Sequence, residues 1–198
     1  MYESFPSFVL GFHGCDKVVG EKVISGEREL DYSKNPWDWL GNGIYFWEND
    51  PLLAFEYAKD VAEGKQFSRG NIKTPFIIGA IIDLGNCLNL PTTNGVRILK
   101  KGYQELSKSL KKTGGILLQN KGNQRYLDCA VIEYIHLLNR KEDYPQYDTV
   151  RGAFSEGKKV YKGTTLTIKN HIQICVRTTS CIKGYFLPKP IKQYNPNY

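Results

Sequence analysis

Residues 40–63 read LGNGIYFWENDPLLAFEYAKDVAE, and this stretch predicts a strand that passes directly into a helix. At its start, glycine alternates with β-branched and aromatic residues, which is typical of a strand whose backbone is closely approached by another group. Asp50 then offers an N-cap and Pro51 fits the first helical turn, so the predicted helix covers residues 52–63 and ends at Gly64. The sequence therefore predicts a strand, a cap and a helix with no intervening loop.

Before this unit, residues 7–13 (SFVLGFH) form a short apolar run that predicts a buried first strand. His13 and Gly14 would lie where that strand ends. The segment between the two strands mixes one helical stretch with turn residues, and Trp37 and Trp39 come just before the glycine pair. We interpret the two tryptophans as anchors of a loop, with stacking on a base as the alternative.

After this unit, apolar runs predict further strands, and three- or four-residue apolar spacing predicts further helices. The predicted strands cover residues 75–90, 158–168, 171–177 and 181–187, and the predicted helices cover residues 95–112 and 127–139. Residues 140–149 and 151–158 are interpreted as loops. Residues 1–187 are expected to form a single domain, and the proline-rich residues 188–198 are expected to form an extended tail.

Composition restricts the class of protein. The chain has 198 residues, of which 41% are hydrophobic and 13% aromatic, which favours a globular domain over a disordered one. No run reaches the roughly 20 apolar residues of a membrane span, and the first residues lack the pattern of a signal peptide, so we expect a cytoplasmic protein. The five cysteines include no C-x-x-C pair and the histidines are not at ligand spacing, so we expect reduced thiols and no metal site.

The net charge of +7 and the pI near 9.1 favour encounter with polyanions. The predicted helix at residues 95–112 has a basic outer face that includes Lys100, Lys101, Lys108 and Lys111, which makes RNA a candidate partner. A basic domain that binds no nucleic acid is equally consistent with this charge.

Three features become informative in their order along the chain: GFHGC with His13 and Gly14, GNGIYFW with Gly43 and Tyr45 before the helix that carries Tyr57, and the late strand HIQICVR. In this order they resemble the poly(ADP-ribose) polymerase and diphtheria-toxin branch of the ADP-ribosyltransferases. The resemblance implies an α+β fold of two packed antiparallel or mixed β-sheets with flanking helices, and NAD⁺ as the substrate.

The resemblance also implies roles for individual residues. His13 would hold a ribose hydroxyl, the backbone of Gly14 would bind the nicotinamide amide, and Tyr45 and Tyr57 would stack on the nicotinamide ring. The remaining implied NAD⁺-binding residues are Gly43, Phe46 and Ala54. These residue types suit the ligand, because a flat cationic ring with a carboxamide needs aromatic faces and backbone groups that are reachable beside glycine.

The sequence departs from the family where a catalytic glutamate is expected. HIQICVR contains no carboxylate, and Gln173 stands at or beside the position of the family's acid. Gln173 in this place favours a single transfer over chain elongation. Glu156, in the predicted loop at residues 151–158, is the candidate for a displaced acid or a target-reading residue. Arg151, in the same loop, is the candidate for contact with the pyrophosphate or an RNA phosphate.

The leading hypothesis is a mono-ADP-ribosyltransferase that modifies nucleic acid or protein, as the toxin of a toxin–antitoxin or phage-defence system with an antitoxin partner. Two alternatives remain open. One is an inactive NAD⁺- or ADP-ribose-binding module, and the other is a basic nucleic-acid-binding domain whose aromatic residues are core. In the second case His13 is a hydrogen-bonded edge residue, Tyr45, Phe46 and Tyr57 only pack, and Glu156 is a solvated charge.

Overall fold

The computed structural model describes residues 8–65, 71–196 and 198, which contain both α-helices and β-strands. In chain order the elements are β1 (Phe8–Asp16), α1 (Lys17–Ile24), β2 (Ile44–Glu48), α2 (Pro51–Ala62), β3 (Pro75–Asp83), β4 (Cys87–Asn89), α3 (Thr93–Thr113), α4 (Tyr126–Lys141), β5 (Thr149–Lys159), β6 (Thr167–Val176), β7 (Ile182–Phe186) and α5 (Ile191–Tyr194). The described residues therefore form an α+β protein, as the sequence predicts.

All seven strands belong to one mixed sheet in the order β4-β5-β6-β2-β1-β3-β7. Among the paired neighbours in the described part of the chain, only β4 and β5 are parallel, and the other pairs are antiparallel. The expectation of two packed sheets is wrong, because β1 and β2 pair at Gly11–Glu48 and Phe12–Trp47 and so join all these strands into one sheet.

The join between β1 and β2 is short. β1 pairs with β3 along its whole length, from Phe8–Asp83 to Asp16–Pro75, whereas its register pairs with β2 end at Phe12–Trp47. The sheet thus consists of two blocks, the β1 half (β1, β3 and β7) and the β2 half (β2, β6, β5 and β4). Beyond Phe12 the two halves separate, which leaves a gap in the sheet.

Helices cover both faces of this sheet. Along β2, Ile44 and Phe46 point to the face that is covered by α1, whereas Tyr45 and Trp47 point to the opposite face. On that opposite face, α2 packs over the β1 half, and α3 and α4 pack over the β2 half. The odd-numbered side chains of β2 therefore face the region between α2 and the other two helices.

The predicted strand–cap–helix unit at residues 40–63 is confirmed. The Asp50 carboxylate accepts a hydrogen bond from the Leu53 N–H at 2.9 Å, and Gly64, which follows the C-cap Glu63, has a φ of 69°. Side-chain capping of a free N–H and a left-handed glycine at the end are the signals on which the prediction rests. The two later helices are also found, as α3 and α4.

Three predicted segments differ from the structure. The single strand at residues 75–90 is broken by a turn at Gly85, whose φ is 54°, and so becomes β3 and β4. Residues 151–158, interpreted as a loop, belong to β5, so Arg151 and Glu156 lie on a strand. Residues 158–168, predicted as a strand, mainly form the connection from β5 to β6, in which Gly163 has a φ of 89°. From Ala153 to Lys159 no side chain of β5 is buried, so this part of the strand lacks the apolar alternation by which a strand is recognised in a sequence.

The C-terminal tail is not simply extended. Residues 188–198 contain the short helix α5, and the buried Asn195 lies at the edge of β3 that faces away from β1. Its amide donates to the Ile77 carbonyl at 2.9 Å and accepts from the Ile77 N–H at 2.7 Å. This side chain ties the tail to the centre of the β1 half.

The first predicted strand, residues 7–13, corresponds to β1, and residue 7 of that prediction lies outside the described residues. Because β1 continues to Asp16, His13 and Gly14 lie within the strand, and the prediction that it ends beside them is wrong. Within the described part of the chain, no helix combines the length and the apolar character that crossing a membrane requires.

Candidate functional site

A cavity of about 360 Å³ lies where the two halves of the sheet separate. Its walls come from both halves: His13 and Tyr57 belong to β1 and α2, and Tyr45, Gln173 and Glu156 belong to β2, β6 and β5. This volume is in the range of small-molecule sites, which span roughly 300–1,000 Å³. Five residues that the sequence analysis singled out thus line a single cavity.

His13 bridges the gap between the two strands. Its Nδ1 lies 2.8 Å from the Tyr45 carbonyl oxygen, and because a carbonyl only accepts, Nδ1 carries the proton. Burial lowers the pKa of His13, while the Tyr45 carbonyl and Asp31 act in the opposite direction. The ring is therefore neutral at pH 7, and its Nε2 carries a lone pair that suits a hydroxyl donor.

Gly14 follows His13 and turns its peptide groups toward the same gap. Ile77, which is opposite Gly14 in β3, binds Asn195 with both its N–H and its C=O, so these groups point away from β1. In an antiparallel pair of this kind, the N–H and C=O of both residues point away from the partner strand. The N–H and C=O of Gly14 therefore point away from β3 and toward β2. The register pairs with β2 end before Gly14.

A side chain at position 14 would also collide with α2. A Cβ there would lie 2.3 Å from the Ala54 carbonyl oxygen, far inside van der Waals contact. Glycine at this position thus serves helix packing, and its backbone borders the gap.

Tyr45 is held at both ends. Its hydroxyl donates to the Gly41 carbonyl at 2.6 Å and accepts from the Leu40 N–H at 2.9 Å, and burial raises its pKa well above the ordinary value. The hydroxyl is thus neutral and bound to the protein, and the phenol ring presents its surface to the cavity.

An ion pair fixes the loop that holds Tyr45. The Glu133 carboxylate accepts from the Asn42 N–H at 2.8 Å and pairs with Arg177, whose guanidinium also donates to the Asn42 carbonyl at 2.9 Å. Although burial opposes it, Arg177 and the Asn42 N–H lower the pKa of Glu133. The ion pair therefore acts on the aromatic wall of the cavity through the backbone of residue 42.

Tyr57 forms part of the opposite wall. It lies on α2, and its ring centroid is 4.9 Å from that of Trp47, with an angle of 44° between the ring planes. Tyr57 is half-buried and Trp47 is buried, and both residues line the cavity. Aromatic surface thus faces the cavity from the β1 half as well as from the β2 half.

Three polar side chains of β5 and β6 lie together at the cavity wall. Gln173 Nε2 is 3.2 Å from His171 Nε2, and Glu156 Oε1 is 3.7 Å from the same nitrogen. In the β5–β6 register Glu156 pairs with Lys169 and Phe154 pairs with His171, so these residues share one face of the hairpin. Glu156 and Gln173 line the cavity, and His171 lies buried behind them.

Lys169 links the two halves of the sheet across the cavity wall. Its ammonium lies 2.7 Å from the Glu56 carboxylate and 3.6 Å from that of Asp60, both on α2. The lining residues with a formal charge are Asp38, Asp60, Glu156, Lys65 and Lys169. The cavity therefore carries one more acid than base, in contrast to the basic chain as a whole.

Five of the predicted NAD⁺-binding residues are not among those that line the cavity: Gly14, described above, and Gly43, Phe46, Ala54 and Arg151. Phe46 and Ala54 are fully buried core residues, and Gly43 packs against β6, where a Cβ would lie 2.4 Å from Cys175 Sγ. Arg151 is held by the Glu48 carboxylate at 2.5 and 2.9 Å, outside the cavity lining. Direct contacts of these side chains with a ligand in the cavity are therefore not part of the site.

Sequence reasoning assigned no site role to His171 or Lys169 and interpreted the tryptophans as anchors. Trp39 does anchor its loop, because its Nε1 donates to the Asn123 carbonyl at 2.7 Å, yet Trp37 and Trp39 also line the cavity. The alternation Lys169-x-His171-x-Gln173 was the available signal, since residues two apart in a strand share a face.

In the described part of the chain, no group of three or more His, Cys, Asp or Glu side chains is arranged to hold a metal ion. The five cysteines are free thiols, and burial raises the pKa of Cys15 and Cys129 to about 12. Thiols with such pKa values are poor nucleophiles. None of the five cysteines is among the described residues that line the cavity, so the polar groups of the wall are oxygen and nitrogen groups.

Comparison with known proteins gives one distant relative. The chain is 27% identical over 204 residues to an uncharacterized protein of Methanocaldococcus jannaschii, an alignment that covers 92% of this chain and 90% of that protein. No family model matches the chain, and no solved structure matches it. The relative shows that a protein of similar length and sequence exists in that organism.

Proposed function

We propose that this chain binds NAD⁺ in the cavity between the two sheet halves and transfers one ADP-ribose group to a macromolecular acceptor. One observation carries the proposal: His13, Tyr45, Tyr57, Gln173 and Glu156, which are far apart in sequence, line the same cavity. The family resemblance assigns NAD⁺-related roles to the first three of these residues.

The nicotinamide end of NAD⁺ suits the gap beside His13. A pyridinium ring is attracted to aromatic faces, and Tyr45 and Tyr57 supply them from the two halves. A carboxamide offers one donor group and one acceptor, which complement the N–H and C=O of Gly14. The excess of acidic groups in the wall also favours the cationic ring.

Two further groups suit the ribose. The neutral His13 offers the lone pair of Nε2, and Gln173 offers an amide from the opposite wall. Hydrogen bonds to the ribose hydroxyls from both sides would hold the sugar while its glycosidic bond stretches. Orientation of this kind lowers the barrier, because the reacting atoms no longer lose freedom in the transition state.

Glu156 is the proposed base. The bond between the ribose carbon and the pyridinium nitrogen breaks, its electron pair leaves with neutral nicotinamide, and the ribose acquires oxocarbenium character. A hydroxyl or amine of the acceptor forms the new bond to that carbon, and its proton passes to the Glu156 carboxylate. A nearby carboxylate also stabilises the developing positive charge.

The acceptor is proposed to be RNA, DNA or protein. The basic face of α3 supports an anionic acceptor, and Gln173 in place of a glutamate supports single transfer over elongation. As a cytoplasmic toxin of a toxin–antitoxin or phage-defence module, such an enzyme would need an antitoxin protein that covers or reverses its activity.

The test uses purified protein, labelled NAD⁺ and a cell lysate. Release of nicotinamide together with label on nucleic acid or protein is the expected result. Glu156→Gln should reduce transfer by at least tenfold, whereas Glu142→Gln, the same change at an exposed helix end, should not. If wild-type protein releases no nicotinamide and transfers no label, the proposal is wrong.

A specific observation favours a second candidate, an inactive NAD⁺- or ADP-ribose-binding module. At the position where the family has its catalytic glutamate, β6 presents Gln173 to the cavity, an amide with no negative charge. Calorimetry separates the two candidates, because a binding module takes up NAD⁺ with no release of nicotinamide.

A further inference from the structure

His171 stands behind the cavity wall, and its hydrogen bonds define which ring nitrogen carries a proton. Its Nδ1 lies 3.1 Å from the Lys169 carbonyl oxygen. A carbonyl oxygen only accepts, so Nδ1 must be the protonated nitrogen. In a neutral ring Nε2 then carries the lone pair and needs a donor.

The neighbour of Nε2 that can donate is Gln173. Its amide nitrogen is 3.2 Å from His171 Nε2, within hydrogen-bond distance, whereas the Glu156 oxygen is 3.7 Å away and is itself only an acceptor. The alternative amide orientation would place Gln173 Oε1 against the lone pair of Nε2, which is repulsive. A neutral His171 ring therefore selects one of the two orientations of the Gln173 amide.

This selection determines what the cavity wall offers. Gln173 is partly buried and lines the cavity, and no described residue donates to its Oε1. With the amide nitrogen turned to His171, the carbonyl oxygen faces the cavity as an acceptor. In the opposite orientation the wall would present an NH₂ donor.

We infer that His171 is a positioning residue: the chain from the Lys169 carbonyl through His171 to Gln173 fixes the Gln173 carbonyl oxygen as a hydrogen-bond acceptor for a ligand hydroxyl. Both oxygens of a carboxylate accept hydrogen bonds, whereas an amide accepts only through its one oxygen. The contact with His171 turns that oxygen of Gln173 toward the cavity. The assignment of that hydroxyl to the ribose of NAD⁺ rests on the proposed function, whereas the proton position on His171 does not.

The test is direct observation of the His171 ring nitrogens by long-range ¹H–¹⁵N correlation NMR near neutral pH. Protein labelled with ¹⁵N-histidine contains three such rings, and His171 is assigned by its absence in a His171→Gln variant. If that variant does not fold, His13→Asn and His136→Asn assign the ring by elimination. The expected wild-type result is a protonated Nδ1 and an unprotonated Nε2.

A substitution at position 173 then replaces the amide that donates to His171 Nε2 with a group that accepts. Gln173→Glu places a carboxylate beside Nε2, so Nε2 must become protonated, by a change of tautomer or by formation of an imidazolium. Gln104→Glu, the same change on the exposed surface of α3, should leave the His171 signals unchanged.

A protonated Nε2 in the wild-type protein, or an unprotonated Nε2 in Gln173→Glu, would overturn the inference. These spectra are recorded without NAD⁺. Failure to release nicotinamide would therefore count against the proposed function but not against the inference about the proton position on His171.

Discussion

Replacing Asn195 with alanine tests how the C-terminal tail holds the β1 half. The substitution removes a donor and an acceptor that both bind the backbone of Ile77, a residue that is fully buried. Two backbone groups would then lie in the interior without their partners. At about 1–3 kcal/mol for each such group, the free energy of unfolding should fall by about 2–6 kcal/mol.

The loss is large enough to measure by thermal unfolding. A protein of this size loses about 2–4 °C in melting temperature for each kcal/mol, so a central value of about 4 kcal/mol corresponds to about 8–16 °C. Circular dichroism during heating, supported by urea titration, gives both quantities. Asn94→Ala, at an exposed site in the first turn of α3, is the matched control and should change stability by less than about 0.5 kcal/mol.

A second variant separates the two hydrogen bonds. Asn195→Asp keeps the acceptor for the Ile77 N–H but turns a carboxylate oxygen toward the Ile77 carbonyl, so it should also be destabilised near neutral pH. If Asn195→Ala melts within about 2 °C of the wild type, these two bonds do not hold the tail, and the orientation derived for the Gly14 peptide groups loses its support.

Two further predictions concern the aromatic walls. Tyr57→Ala should weaken NAD⁺ binding by about tenfold, the equivalent of about 1.4 kcal/mol from lost cation–π and stacking contact, while Tyr144→Ala in an exposed loop should not; calorimetry measures both, and equal affinities would contradict the placement of the ring. The pKa of Glu133 is lowered in the folded state, so its pairing with Arg177 stabilises the protein fully above the unfolded pKa and is lost as pH falls through the folded pKa. We therefore expect the free energy of unfolding to depend less on pH in Glu133→Gln than in the wild type, as measured by acid unfolding followed by fluorescence. Identical pH profiles of the two proteins would show that the ion pair makes no pH-dependent contribution.

The sequence predicted α2 accurately because its signals are local. An aspartate cap, a proline in the first turn and a closing glycine all act within a few residues of the helix ends. The strand β5 was missed for the opposite reason. Its outer half has few buried side chains, so the stretch that contains Glu156 lacks the apolar alternation of a strand and resembles a loop.

The convergence of His13, Tyr45 and Tyr57 was expected from the order of motifs, whereas the supporting contacts were not. The partner of Asn195 is 118 residues away, and the carbonyl that fixes His171 belongs to the backbone. Contacts of this kind depend on the register of paired strands, and a single sequence does not specify that register.

The short join between β1 and β2 makes the width of the cavity a mechanical property of the whole domain. Between β1 and β2 the register pairs number two, and the two halves are held together further by the His13–Tyr45 hydrogen bond, by the Lys169 ion pairs with α2 and by the core that they share. A molecule that touches both blocks acts as an additional fastener between them. The free energy with which such a molecule binds therefore also opposes separation of the two halves. Slower amide hydrogen exchange along the facing edges of β1 and β2 would measure that stabilisation.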